Sequence, residues 1–274
     1  MDILRAATEC DIDTLDTARD YGVAEDVIGE YLASEVGDVM PRIVTKFRIP
    51  SELEGSHAAM RRHVRESLQR SLRALRQSRV HALLFHKAMH QDLVALLPPL
   101  MDILQELRAE GLIGHGGLSA YRPTDVEPII GNAIFSCVQV PFNIFDPFLH
   151  REGWLAEMAD AGTFVFVRSV FLKGLLLESP DRLSPGLEDA APFLRSLRRM
   201  AEQSSLTVAE LAFSYVRHMR GVGSIVFGAD HAGQVRENRR MLEVPPLAVG
   251  MMDEARALFR DVPEHIIVPG RWKS

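Results

Sequence analysis

The sequence predicts an α/β fold, a (β/α)8 TIM barrel that lacks strand 1. Three observations carry the prediction. Strand-like and helix-like segments alternate along all 274 residues, and strict alternation implies a parallel sheet, because each crossover needs a helix to return the chain. The strand-like segments are short and continuously apolar, as expected when both faces are covered. Seven of them can be counted, one short of a closed barrel, and the chain opens in a helix, so the first strand is the absent one.

Taken in order, Asp2 to Cys10 reads as a helix and Ile12 to Leu15 as a strand. Ala24 to Ser34 is helical, with Val27, Ile28, Tyr31 and Leu32 on one face. Arg42 to Thr45 is a strand. Ser56 to Gln77 is a long helix whose Val64, Leu68, Leu72 and Leu75 form a half-buried stripe. Val80 to Phe85 is a strand, Leu97 to Glu110 a helix stopped by Gly111, and Ile113 to Leu118 a glycine-rich strand. A short helix near Pro123 to Ile130 precedes the strand Phe135 to Val140. Trp154 to Ala161 is helical and Thr163 to Val167 a strand. Glu178 to Glu188 holds Pro180 and Pro185 and reads as an ordered loop. Leu194 to Gln203 is a helix, and Thr207-Val-Ala-Glu210 is a capping box opening another that runs to Met219. Gly223 to Phe227 is the last strand, followed by helices at Ala232 to Met241 and Met251 to Phe259. No linker, repeat or low-complexity tract interrupts residues 1–274, so one domain is expected.

With 47% apolar and 25% charged residues the composition is that of a globular protein with a sizeable core. A net charge of −6 with interleaved signs argues against a nucleic-acid surface. The densest basic stretch, Arg61 to Arg79, shares a helix with an apolar stripe and reads as a solvated face. Two cysteines, Cys10 and Cys137, make no disulfide framework and no metal cluster. No signal peptide or apolar run of about 18 residues is present, so a cytoplasmic protein is expected, with no membrane partner.

The chemistry concentrates where three successive strands end. Asp16-Thr-Ala-Arg-Asp-Tyr21-Gly22 follows the first apolar run, Lys46 closes the second, and His86 closes the third. In a barrel the active site lies at the C-terminal strand ends, and neighbouring strands are about 5 Å apart. Four titratable side chains would therefore meet in one mouth. Each has an ordinary alternative taken singly: a turn tyrosine, a solvated lysine, a hydrogen-bonded core histidine.

Asp16-Thr-Ala-x-x-Tyr21-Gly22 with Glu25 and Ile28-Gly29 resembles the aldo-keto reductase family. Further landmarks follow in the family's order: Lys46, Leu83-Leu-Phe-His86, Gly116-Gly-Leu-Ser119, Val138-Gln139-Val-Pro-Phe-Asn143, and Gly228-Ala229 with Gln234-Val-Arg-Glu237-Asn238. The resemblance implies a barrel of aldo-keto reductase type that reduces an aldehyde or ketone with NAD(P)H. It implies Tyr21 as general acid, Lys46 as its activator, Asp16 as the lysine's partner and His86 as the orienter of the carbonyl. A free phenol has a pKa near ~10, and an adjacent ammonium is expected to lower it. His81 stands where many members carry an aspartate and reads as structural.

The cofactor side is less regular. Ser119 and Gln139 are implied to hold the nicotinamide amide, but the family's asparagine is here Ala120. Its stacking aromatic is replaced by Arg168, a planar guanidinium able to stack on a ring or to form an ion pair across the barrel mouth. Ser169, Phe171 and Lys173 are implied pyrophosphate neighbours. Gly228, Asp230, Gln234, Glu237 and Asn238 match the adenosine end. Asp230 replaces a common serine there, and an acid favours a free ribose hydroxyl over a phosphate. Arg236 is the residue able to compensate. Family habit points to NADPH, with NADH the alternative. The segment from Arg168 to Leu176 is similar to that of bacterial members associated with sugar and surface-polysaccharide metabolism, which implies a sugar-like carbonyl.

Without the first strand, the last strand and the first one present would leave an open seam. Three accounts of it stay open. Protein precedes Met1; or a dimer partner or the tail Ile266 to Ser274 covers the seam; or reductase activity was lost and the shell kept, leaving a cofactor sensor or interaction subunit. A lyase using Lys46 as a Schiff base is a further rival, disfavoured because Asp16 keeps the lysine protonated.

Overall fold

A computed structural model describes residues 1–34, 40–121, 123–146, 148 and 153–272. Its strands are β1 (Thr14–Asp16), β2 (Arg42–Phe47), β3 (Val80–His86), β4 (Ile113–Ser119), β5 (Phe135–Pro141), β6 (Phe164–Arg168) and β7 (Ser224–Ile225). They form one sheet in sequence order, and every neighbouring pair is parallel. The helices are α1 (Asp2–Glu9), α2 (Ala24–Ser34), α3 (His57–Ala74), α4 (Leu93–Ala109), α5 (Trp154–Asp160), α6 (Ala191–Gln203), α7 (Val208–Arg217), α8 (Ala232–Arg240), α9 (Val249–Leu258) and α10 (Glu264–Ile267).

The sheet is curled. Val44 of β2, Ala82 and Leu84 of β3, Cys137 of β5 and Phe166 of β6 pack together on its inner face, which a flat sheet cannot arrange. The opposite face carries the larger core, where Phe47, Leu83, Phe85, Leu118 and Val138 meet the helical layer. One face of each strand is thus spent inside the barrel and the other outside it, which is why apolar residues dominate both faces of the central strands. The fold is the predicted barrel less one strand.

Local chemistry sets the element ends. Thr207 and Glu210 form the predicted capping box at α7, with the Glu210 N–H donating to Thr207 Oγ1 at 3.1 Å and the Thr207 N–H to Glu210 Oε2 at 2.8 Å. α4 starts earlier than expected and carries Pro98 and Pro99 inside it. Asp92 caps it by accepting from the Val94 N–H at 3.0 Å. The prolines forfeit bonds to the carbonyls of Val94 and Ala95, which lie on the exposed side where water can replace them. Gly29 lets α2 meet the end of α3: a Cβ there would stand 2.0 Å from the Ala74 carbonyl oxygen. Two of the arginines of α3 pair with carboxylates on and just after α4, Arg65 with Glu110 (2.6 and 2.7 Å) and Arg61 with Glu106 (3.0 Å). No helix among the described residues is long and apolar enough to cross a membrane.

β1 and β7 do not pair. Between them lies a cavity of about 290 Å³, lined by Ile12 to Thr14 on one side and Gly223 to Ile225 on the other. The helical layer nevertheless closes over it. Ala6 and Ala7 of α1 pack on Val235 of α8, Arg236 of α8 pairs with Glu9 at 2.7 Å, and Arg239 Nε donates to the Cys10 carbonyl at 3.1 Å. The tail was one candidate cover for the seam, but its described part lies elsewhere. Ile266 is buried in the outer core, Trp272 Nε1 donates to its carbonyl, and Gly270 approaches Met89, just beyond β3. Residues 273 and 274 fall outside the described set.

Candidate active site

β1, β2 and β3 end side by side, and each delivers a predicted residue. Asp16 is the last residue of β1, Lys46 the penultimate residue of β2, and His86 the last of β3. Tyr21 follows on the turn after β1, where Gly22 takes a φ of +59° that favours glycine. This turn is tied to β2. The Thr17 N–H donates to the Val44 carbonyl at 2.8 Å and the Arg19 N–H to that of Lys46 at 3.3 Å. Buried Glu25 of α2 accepts from Thr45 Oγ1 and from Arg19 Nη1, each at 2.6 Å. Glu25 therefore clamps the Tyr21 loop onto the strand that carries Lys46.

The lysine is committed. Its Nζ donates to Asp16 Oδ2 at 2.6 Å and to the Thr17 carbonyl at 2.9 Å, and it stands 5.2 Å from the centre of the Tyr21 ring. The second carboxylate oxygen of Asp16 accepts from Gln139 Nε2 at 2.8 Å, a bond that crosses the mouth from β5. Burial pulls the Lys46 pKa below its usual value, and Asp16 works against that shift. Tyr21 departs from expectation. Its pKa is raised, first by burial and then by the Asp16 carboxylate, with Arg168 and Arg48 acting the other way. The Lys46 ammonium is bonded to Asp16, and burial together with that carboxylate keeps the phenol protonated.

His86 is pushed down to about 4 by burial, then by Arg48, Lys46 and Arg168. Its imidazole is neutral at ordinary pH. Nδ1 is buried without a partner, whereas Nε2 lies 3.4 Å from the Tyr121 hydroxyl. An orphaned lone pair costs less than an orphaned N–H, so we assign the ring proton to Nε2. That N–H points into the mouth.

Tyr121 escaped the reading of the sequence. Its ring stacks on His86 (6.1 Å, 12°), and the guanidinium of Arg168 lies 5.0 Å from its centre. The signal available was position: Tyr121 stands two residues after Ser119, and Ser119 is the register partner of His86.

The remaining strand ends hold the predicted cofactor residues. Ser119 and Gln139 are register partners on β4 and β5, both buried, with Ser119 Oγ donating to Gln139 Oε1 at 3.4 Å. Ala120 is also buried, and its carbonyl accepts from Arg168 Nη2 at 2.9 Å. Beyond β6, Ser169, Leu172 and Lys173 take left-handed φ values of 62°, 49° and 52°, as does Gly174 at 91°. Phe171 lies within this turn, partly buried. Gly228 follows β7 with open space where a Cβ would be. The Asp230 N–H donates to Gln234 Oε1 at 2.7 Å, and Glu237 and Asn238 continue along α8. Arg236 instead faces Glu9 on α1.

The sequence model of the aldo/keto reductase family matches residues 1–258. The chain belongs to the aldo/keto reductase family. A curated relative, an uncharacterized oxidoreductase YqkF of Bacillus subtilis (strain 168), is 25% identical over 252 residues, covering 87% of this chain and 80% of that protein. Among solved structures, the holo form of aldo-keto reductase AKR11C1 from Bacillus halodurans superposes with a TM-score of 0.76 at 23% identity, over 97% of this chain and 88% of that one. The glycerol dehydrogenase AKR11B4 from Gluconobacter oxydans gives 0.74 at 20%, over 96% and 85%. These likenesses establish the fold. Family membership makes the protein an NAD(P)H-dependent oxidoreductase.

The nicotinamide cofactor that aldo/keto reductases use fits the residues present. A hydroxyl and an amide stand buried at adjacent strand ends, and the turn at 169–174 takes the left-handed φ values found in anion-binding backbone concavities. The open position at Gly228 leaves room for close approach.

Proposed function

We propose that this protein reduces an aldehyde or ketone to an alcohol, with Tyr21 as the proton donor. One observation carries the reading: Lys46 is bonded to Asp16 at 2.6 Å while standing 5.2 Å from the Tyr21 ring centre. The ammonium is thereby held beside a neutral phenol, next to the strand end that carries the neutral imidazole of His86. When bound, a nicotinamide cofactor would supply the hydride, two electrons, that the carbonyl carbon receives. His86 Nε2–H and the Tyr21 hydroxyl bind the carbonyl oxygen as it gains negative charge, and preorganised donors of this kind lower the barrier most where charge develops. Tyr21 transfers its proton to that oxygen and is reprotonated from water. Lys46 stabilises the transient phenolate, and Asp16 fixes the lysine.

Ser119 and Gln139 are proposed to hold the carboxamide, Ser169, Phe171 and Lys173 the pyrophosphate, and Gly228, Asp230, Gln234, Glu237 and Asn238 the adenosine end. The state of that end favours NADH over NADPH. Asp230 is exposed at the head of α8 and would repel a 2′-phosphate, and Arg236 is paired with Glu9. The experiment is carbonyl-dependent oxidation of NADH and of NADPH by the purified protein, beside a binding titration of each. The expected result is turnover of aldehydes with a higher kcat/KM for NADH. Binding without turnover of any carbonyl would identify a non-catalytic member instead.

A further inference from the structure

In and beside the tetrad, four cations among the described residues, Lys46, Arg19, Arg48 and Lys87, each have a carboxylate. Lys46 has Asp16 and Arg19 has Glu25, both at 2.6 Å. Arg48 has Asp20, and buried Lys87 has Asp125 at 3.2 Å. Arg168 is the exception. It is partly buried at the end of β6 and forms no ion pair with any described residue. Asp16 has both oxygens engaged, by Lys46 and Gln139. The contacts of Arg168 are neutral: the Ala120 carbonyl at 2.9 Å, Ser169 Oγ at 3.4 Å and the face of Tyr121 at 5.0 Å. These use only part of a guanidinium with five N–H donors in a planar fork. The position is equally telling. Arg168 is close enough to perturb Tyr21, Lys46 and His86 together, and through Tyr121 it is joined to the ring that would hold the carbonyl oxygen.

A partly desolvated, unpaired guanidinium costs free energy until an anion meets it, and its fork matches a carboxylate bidentately. We infer that Arg168 anchors the carboxylate of an anionic carbonyl substrate, an aldehyde or keto acid, at the same mouth that reduces it. This rests on the carbonyl-reducing reading of the tetrad. The contact with the Tyr121 face and the bond to the Ala120 carbonyl position the guanidinium, and its other donors stay available for an anion. The site then selects on charge: a carboxylate-bearing carbonyl is neutralised on entry, and its uncharged ester leaves Arg168 unpaired.

The test compares 4-carboxybenzaldehyde with its methyl ester, at saturating cofactor, in the wild type and in Arg168→Gln and Arg168→Lys. The wild type is expected to show a kcat/KM for the carboxylate at least tenfold above the ester. Arg168→Gln should lower that ratio at least tenfold, and Arg168→Lys should retain part of it. A wild-type ratio near one, or a ratio unchanged in Arg168→Gln, overturns the inference; so does an effect confined to the dissociation constant of the cofactor. A second measurement needs no variant. Raising salt should raise KM for the carboxylate and spare the ester, because screening weakens only the charged contact. Terephthalate, which cannot be reduced, separates the two ideas. If no carbonyl is turned over but terephthalate binds the wild type with cofactor and not Arg168→Gln, the reductase reading fails and the anion site stands. If aldehydes are reduced and terephthalate binding ignores Arg168, the anion site fails and the reductase stands.

Discussion

Tyr21→Phe lowers the rate of carbonyl reduction by about 10²–10⁴-fold, the range associated with loss of a positioned general acid, while cofactor affinity stays nearly unchanged. The split follows from position. Tyr21 lies on the turn beyond β1, on the side of the tetrad, whereas Ser119 and Gln139 lie on β4 and β5. Steady-state kinetics with a cofactor titration measure both effects. The pH profile is part of the same expectation. Burial and Asp16 raise the phenol above its ordinary value, so the donor stays protonated through neutral pH and is lost only as pH rises past the phenol range near ~10. His86, at about 4, contributes no ionisation between pH 5 and 8. A kcat/KM limb near pH 6.5 that disappears on removing His86 would contradict this assignment of its charge state.

Lys46→Met carries the second large effect, on stability and activity together. Lys46 is buried and paired with Asp16, whose side chain keeps 18% exposure. Removing one partner of a buried pair costs about 3–5 kcal/mol when the other charge is stranded. Asp16 keeps its bond from Gln139 and some contact with water, which places the expected loss at the lower end of that range. Turnover should fall by about 10²-fold or more, because the phenolate left after proton transfer loses its nearby cation. The double variant Asp16→Asn/Lys46→Met separates the two. It should recover most of the stability in urea unfolding, since no carboxylate is left stranded, without recovering turnover. Recovery of both would mean that the pair serves only the fold.

Much of this architecture was legible in the sequence because the barrel imposes it locally. Short, mostly apolar runs located all seven strands, and the titratable residues ending three successive runs, Asp16, Lys46 and His86, located the mouth. Boundaries were less legible where pairing rather than composition decides them. Ile12 and Asp13 precede the paired part of β1 and line the seam, although Ile12 looks like strand. Leu93 to Leu96 joined α4 despite two prolines downstream, because exposure of that face made the lost bonds tolerable. Within the site, the residues come together as the motif implied, but their charges do not follow from the motif. The phenol is raised rather than lowered because burial, and then the Asp16 carboxylate, outweigh the cations nearby. Arg236, the residue able to hold a 2′-phosphate, was taken by Glu9 from the opposite end of the chain. Tyr121 has no motif of its own, and its stacking on His86 and under Arg168 arises only when β3, β4 and β6 end together.

The proposed reaction at this mouth is transfer of a hydride to a carbonyl carbon. The most direct measurement is reduction of an aldehyde with cofactor carrying deuterium at the transferable position of nicotinamide carbon 4, read by mass spectrometry and NMR of the alcohol. One deuterium is expected on the carbinol carbon. An alcohol without the label at carbon, or no reduction of any aldehyde by protein that binds the cofactor, would contradict it.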